Sequence, residues 1–254
     1  MVVNAEFNIK KMVWNNLLTN IPTIDGGGCF NSKYTNEIIS YFFHRNPGVY
    51  NLYYDIDNPL MPLYANMFCL KYILSPFPIE GLHKVYESPE SYWRYIHEIP
   101  NSRPVIQFPQ KVRLFTEHKD VLNFMQDAFI HNLQIDTRET LTTVKEISVD
   151  CVDCIRPINS GNSIFDITYG KDEITVKIEA DSDGYLEINQ ALNQYWKATV
   201  DGKEETLLRT NYSASLVPVR KGDKIVRLNF YMPVYTIGGI INIIAIVICL
   251  FIIY

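Results

Sequence analysis

Residues 195–205 read YWKATVDGKEE. Trp196, Ala198 and Val200 alternate with Lys197 and Thr199, so a strand would set the first three on one face. Asp201-Gly202 then supplies two residues that tolerate positive φ, as a two-residue hairpin turn requires. The stretch predicts strand, tight turn, strand, with one face buried.

The pattern continues on both sides. EITVKIE (173–179) alternates strictly, with Ile174, Val176 and Ile178 on one face. GYLEIN (184–189) repeats it with Leu186 and Ile188 inward. ASLVPVR (214–220), a Gly222-Asp223 turn and KIVRLNFY (224–231) follow, with Val226, Leu228 and Phe230 in register. About eight short strands, each polar on one side, predict an antiparallel β-sandwich over residues 144–235.

Residues 1–143 read as a mixed α/β region, so the fold class is α+β. NEIISYFF (36–43) and DVLNFMQDAFI (120–130) are helix-like; GVYNLYYDI (48–56), LKYILS (70–75) and PVIQF (104–108) are strand-like. Frequent Pro residues divide it into short pieces. The opening MVVNAEFNIKKMVWNNLL predicts an amphipathic helix with Ile9, Val13 and Leu17 on one face. Its apolar residues are broken by Asn, Glu and Lys, unlike a signal peptide.

Residues 236–254, TIGGIINIIAIVICLFIIY, carry no charge, and Asn242 is their only strongly polar side chain. Such a run predicts one transmembrane helix, since about 20 residues cross a ~30 Å hydrocarbon core. The lipid bilayer is therefore an expected partner and the cell membrane the expected location. Arg220, Lys221, Lys224 and Arg227 precede the run. They occupy strand and turn positions of a large domain, and such domains cross a membrane largely regardless of charge.

The 254 residues carry a formal charge of −5, with 20% charged and 13% aromatic side chains. This is a folded composition, and its mild acidity without a Lys/Arg stripe argues against nucleic acid as a partner. Cys151-Val-Asp-Cys154 is a lone CxxC in a strand-like run, VKEISVDCVDCI. It lacks the second pair of a four-ligand zinc site, and two ordinary thiols are the simpler reading. The five His show no metal spacing, and no cofactor motif is present. Asp25-Gly26-Gly27-Gly28 lacks the Lys of a phosphate loop and reads as a flexible loop. Asp55-x-Asp57 matches the DxD with which nucleotide-sugar transferases hold a divalent ion, making Asp55 and Asp57 a weak metal candidate. Acidic and Asn residues before Pro59 read more simply as a turn. Trp196 faces the core by its strand phase. Tyr195 on the opposite face, with Tyr212, is the candidate glycan-stacking aromatic.

Residues 184–244, GYLEINQALNQYWKATVDGKEETLLRTNYSASLVPVRKGDKIVRLNFYMPVYTIGGIINII, resemble the C-terminal end of YfhO-like bacterial membrane proteins. These belong to the GT-C class of multi-spanning glycosyltransferases. The family pattern falls on Trp196, Ala198, Val200, Asp201, Gly202, Lys203, Asn211, Val217, Pro218, Gly222, Tyr231 and Pro233. LKYILS (70–75) and HEIPNSRPVIQFP (97–109) resemble two earlier family segments, so the likeness runs from about residue 66 to the end. Tyr195 stands where the family has Gly, Lys224 where it often has His, and Arg103-Pro104 inverts the family's Pro-Arg.

The resemblance implies an extracytoplasmic accessory domain and last span of a larger glycosyltransferase-like protein. The family's catalytic acid lies in an early loop without a counterpart here. Catalytic residues are therefore none, and the implied partners are a lipid-linked sugar or an envelope polysaccharide. Two other readings stay open: a tail-anchored protein with a cytoplasmic domain, and a DxD transferase using Asp55 and Asp57.

Overall fold

The computed structural model describes residues 69, 71–75, 77–90, 94–99, 103–130, 138–147, 155–170, 172–189 and 195–253. The N-terminal helix, Asp25–Gly28, Asp55, Asp57, Cys151 and Cys154 lie outside these residues.

Two antiparallel sheets form the sandwich. One has the order β12-β11-β15-β9-β8, from Lys203–Glu205, Trp196–Val200, Ile225–Phe230, Glu173–Glu179 and Ser163–Tyr169. The other has the order β13-β14-β10-β4, from Leu208–Thr210, Ala214–Val219, Gly184–Ile188 and Ile106–Gln107. Strand alternation decides what lies between them. Ile174, Val176 and Ile178 of β9, Ala198 and Val200 of β11, and Val226 and Leu228 of β15 come from one sheet. Ile106, Leu186, Ile188, Val217 and Val219 come from the other, and all are buried in a single apolar cluster. At roughly 1.5–3 kcal/mol per fully buried aliphatic side chain, this core is the main source of stability.

The hairpin turn is as the sequence requires: Asp201 and Gly202 have φ of 46° and 81°, and β11 pairs β12 directly across it. The sandwich begins earlier than residue 144, because β4 pairs with β10 through Ile106↔Ile188.

A smaller sheet lies beside the four-stranded one. Its order is β6-β5-β7, from Glu139–Thr143, Lys111–Phe115 and Ile155–Pro157. β5 and β6 are parallel, and α1 (His118–Ile130) makes the crossover that parallel strands need. α1 starts with the Asp120 carboxylate accepting from the Glu117 N–H at 3.0 Å, half of a capping box. Its buried Val121, Leu122, Met125 and Ala128 form one stripe. Residues 144–147, expected as strand, are instead a short helix, α2 (Val144–Ile147). There Glu146 accepts from the Arg209 N–H at 3.2 Å and pairs with His118 at 3.0 Å, contacts that a turn of helix brings within reach. A further sheet, β1-β3-β2, comprises Tyr72–Ser75, Tyr95–Glu98 and His83–Glu87.

After β15 the chain enters α3, Pro233–Ile253, a helix of 21 residues. Taken over the residues whose side chains are described, no helix is long and apolar enough to cross a membrane. The side chains at 234–237, 240, 247 and 250–253 of α3 lie outside that set.

Candidate functional site

Three features of the described surface and interior bear on function: a buried polar cluster, an open groove and the ring-rich end of the five-stranded sheet.

The cluster centres on Glu187. Strand alternation puts Leu186 and Ile188 into the sandwich core and turns Glu187 to the outer face of the same sheet. That face is not solvated. The β5-α1-β6 unit covers it, and Glu187 is fully buried. The carboxylate pairs with the buried Arg103 guanidinium and accepts from Asn211 Nδ2 at 2.8 Å. The Gln107 amide lies beside them. With its oxygen toward the guanidinium it accepts from Arg103 Nε and Nη2 at 2.6 Å each. The reverse orientation would set its NH₂ against those donors and is disfavoured, although that nitrogen would then lie 3.4 Å from Glu187 Oε2. Burial pushes the Glu187 carboxyl up, and the Arg103 charge with neighbouring hydrogen bonds pulls it back down.

Adjacent contacts fasten the same region. The Thr140 and Thr210 hydroxyls are 2.5 Å apart. The Leu141 N–H donates to Asn211 Oδ1 at 2.9 Å, and the Asn211 N–H donates to the Leu141 carbonyl at 2.7 Å. Cys69 Sγ donates to the Pro104 carbonyl at 3.1 Å and accepts from Asn189 Nδ2 at 2.7 Å. Burial pushes its thiol up to about 11, so it stays protonated and unreactive at neutral pH. The Glu187 and Arg103 charges are matched to each other inside the protein. The cluster joins the βαβ unit to the sandwich.

The groove lies at the turns between β9 and β10 and between β14 and β15. Its volume is about 530 Å³, and its lining includes Phe165, Lys177, Asp181, Lys221, Asp223 and Lys224. Phe165 sits where the β8–β9 register shifts between Ile164 and Asp166, and such a bulge re-aims a side chain. Its ring is 67% exposed. Lys177 pairs with Asp166 at 3.0 Å beside it. An exposed ring beside charged donors and acceptors suits a polar ligand with an apolar face.

The sequence candidates fall elsewhere. Tyr212 is buried, at 8% exposure, and is not the exposed aromatic expected. The cause is local: Asn211 and Tyr212 have φ of 43° and 64°, in a turn pinned against Leu141 of β6. Tyr195 is half-buried, its ring edge-on to Phe230 at 6.2 Å. Trp196 keeps the predicted phase and packs on the core, but it lies at the sandwich end and is only partly buried. Among the described residues no three His, Cys, Asp or Glu are grouped to hold a metal.

The buried cluster and the Phe165 groove had no local signal in the sequence. Arg103 and Glu187 are 84 residues apart, and Phe165 depends on a register shift.

No protein-family model matches the chain, and neither a curated protein nor a solved structure matches it.

Proposed function

We propose that this chain is a membrane-anchored, non-catalytic domain that holds or orients a cell-envelope glycan or lipid-linked sugar at the extracytoplasmic surface. One observation carries the anchoring: α3 has nothing apolar to pack against along its described length. Ile241, Ile243, Ile244, Ile246 and Ile248 are each more than half exposed. At about 100° per residue these five point to every side of the helix. A helix apolar all round is at home in a protein core or in lipid. The 21 residues of α3 at about 1.5 Å each reach ~30 Å, the thickness of a hydrocarbon core.

The accessory role follows from the resemblance to YfhO-like proteins and from the kind of surface available. The Phe165 groove is open, with an exposed ring and mixed charges, which suits weak recognition of a sugar. Transfer chemistry would need a carboxylate poised at an acceptor hydroxyl and donors for the leaving phosphate. Glu187, the most deeply buried of the described carboxylates, is sealed inside.

The test uses the full chain in lipid nanodiscs. Envelope glycan fragments are titrated while amide chemical shifts are followed. Saturable shifts of residues around Phe165, lost in Phe165→Ala, support the reading. Turnover of lipid-phosphate or nucleotide sugars that disappears in Asp55→Asn or Asp57→Asn would overturn it.

A further inference from the structure

The five-stranded sheet is chemically asymmetric along its strands. β15 pairs β11 through Trp196↔Phe230 and pairs β9 through Asn229↔Glu173. β8 pairs β9 through Tyr169↔Ile174. These registers bring Tyr169, Tyr195, Trp196, Phe230 and Tyr231 to one end of the sheet. Trp196 and Phe230 pack with ring centroids 5.5 Å apart, and the Tyr231 N–H donates to the Tyr195 carbonyl at 2.9 Å. Tyr169 and Tyr231 are about half exposed, at 48% and 57%. Only Met232 separates Tyr231 from the start of α3. The opposite end consists of turns bearing Asp181, Asp183, Asp201, Lys203, Lys221 and Lys224.

We propose that the aromatic end of this sheet is seated in the interfacial layer of the bilayer that α3 enters, so that the sandwich is docked on the membrane and not held off by a flexible linker. The inference rests on the anchoring role given to α3 above. Trp and Tyr rings are enriched at both membrane–water interfaces, where an apolar body and a polar tip are each satisfied. The rings here lie at the root of the apolar helix, at the depth where such a layer begins. Asp172 and Glu173 occupy the same end and are exposed. Anionic headgroups are therefore not the attraction; the partner is the neutral, zwitterionic interface. Docked this way, the charged turns and the Phe165 groove face away from the membrane.

The experiment places the full chain in phosphatidylcholine vesicles, in a Trp14→Phe/Trp93→Phe background that leaves Trp196 as its only Trp. Folding of this background is first checked by far-UV circular dichroism against the parent. Flotation reports whether α3 is inserted. Quenching of Trp196 fluorescence is then compared between lipids brominated high on the acyl chain and near its end. The expected result is flotation with strong quenching by the shallow bromines and little by the deep ones. That quenching should be lost in Tyr169→Asp/Tyr231→Asp, which still floats because α3 is unchanged and both side chains are about half exposed. Flotation without quenching at either depth overturns the docking while leaving the anchor intact. Failure to float removes the anchor itself and overturns the docking with it.

Discussion

Replacing Arg103 by Met removes the counter-charge from a carboxylate that has no route to solvent. In the parent, Glu187 is fully buried and Arg103 nearly so. A charge pair at contact distance is worth about 4 kcal/mol at an effective dielectric near 20, and breaking a buried pair from one side costs about 3–5 kcal/mol. The Asn211 Nδ2 contact at 2.8 Å survives the change and offsets a fraction of this. The measurement is urea unfolding of the full chain in detergent micelles, followed by Trp fluorescence. With a dependence of about 2 kcal/mol per molar urea, the midpoint at pH 7 should fall by about 2 M.

Two controls separate charge from packing. Arg103→Met/Glu187→Gln removes both charges and keeps an acceptor for Asn211, so it should recover about half of the loss or more. Acidification should do the same. Without Arg103 the folded carboxyl sits further above its unfolded value. The folded state then binds the proton more tightly, and stability rises as pH falls through the folded pKa, until the unfolded carboxyl also protonates near 4.3. A midpoint shift below about 0.5 M, or a loss unchanged by Glu187→Gln, would refute the claim that this pair fastens the βαβ unit to the sandwich.

Other expectations follow from equally local geometry. Gly184→Ala would put a Cβ 1.9 Å from Asn159 Oδ1. Asn159 donates to the Pro109 and Tyr185 carbonyls at 2.5 and 2.9 Å and accepts from the Tyr185 N–H at 2.6 Å. Displacing it should cost about 2–4 kcal/mol, read as a lowered thermal midpoint, whereas Gly202→Asn, at an open turn position, should cost little. His97 is buried, its Nε2 accepts from the Ile79 N–H at 3.1 Å, and burial holds its pKa below the usual histidine value. Its contribution is complete above about pH 6.5 and declines as pH falls from there toward the folded pKa, because the unfolded chain takes the proton first. Between pH 7.5 and 5.5, His97→Gln should therefore lose less stability than the parent in parallel urea titrations.

Much of the sandwich was legible because its strands are half-buried and alternate. EITVKIE, GYLEI, WKATV and IVRLNF each declare an inward face, and Asp201-Gly202 declares a turn. α1 was legible for the same reason at helical spacing. What the residues hid were the effects of a second layer. Glu187 lies out of phase with the core and so reads as a solvent-facing residue, until the β5-α1-β6 unit covers that face from a distance in sequence. Tyr212 reads as exposed for lack of a pattern, and it is buried by two consecutive left-handed residues. Val144–Ile147 has strand propensity, but it forms a turn of helix because Glu146 finds partners in His118 and the Arg209 backbone. Local rules see one strand or helix at a time, whereas these outcomes belong to contacts across 28–84 residues.

Entry of α3 into a bilayer is tested most directly by extraction with alkaline carbonate. Membranes from cells expressing the full chain are washed at high pH and the pellet and supernatant are compared with those of a chain ending at Tyr231. The full chain should stay in the pellet and the shortened chain should be released. Full chain recovered in the soluble fraction, folded and without detergent, would contradict bilayer entry.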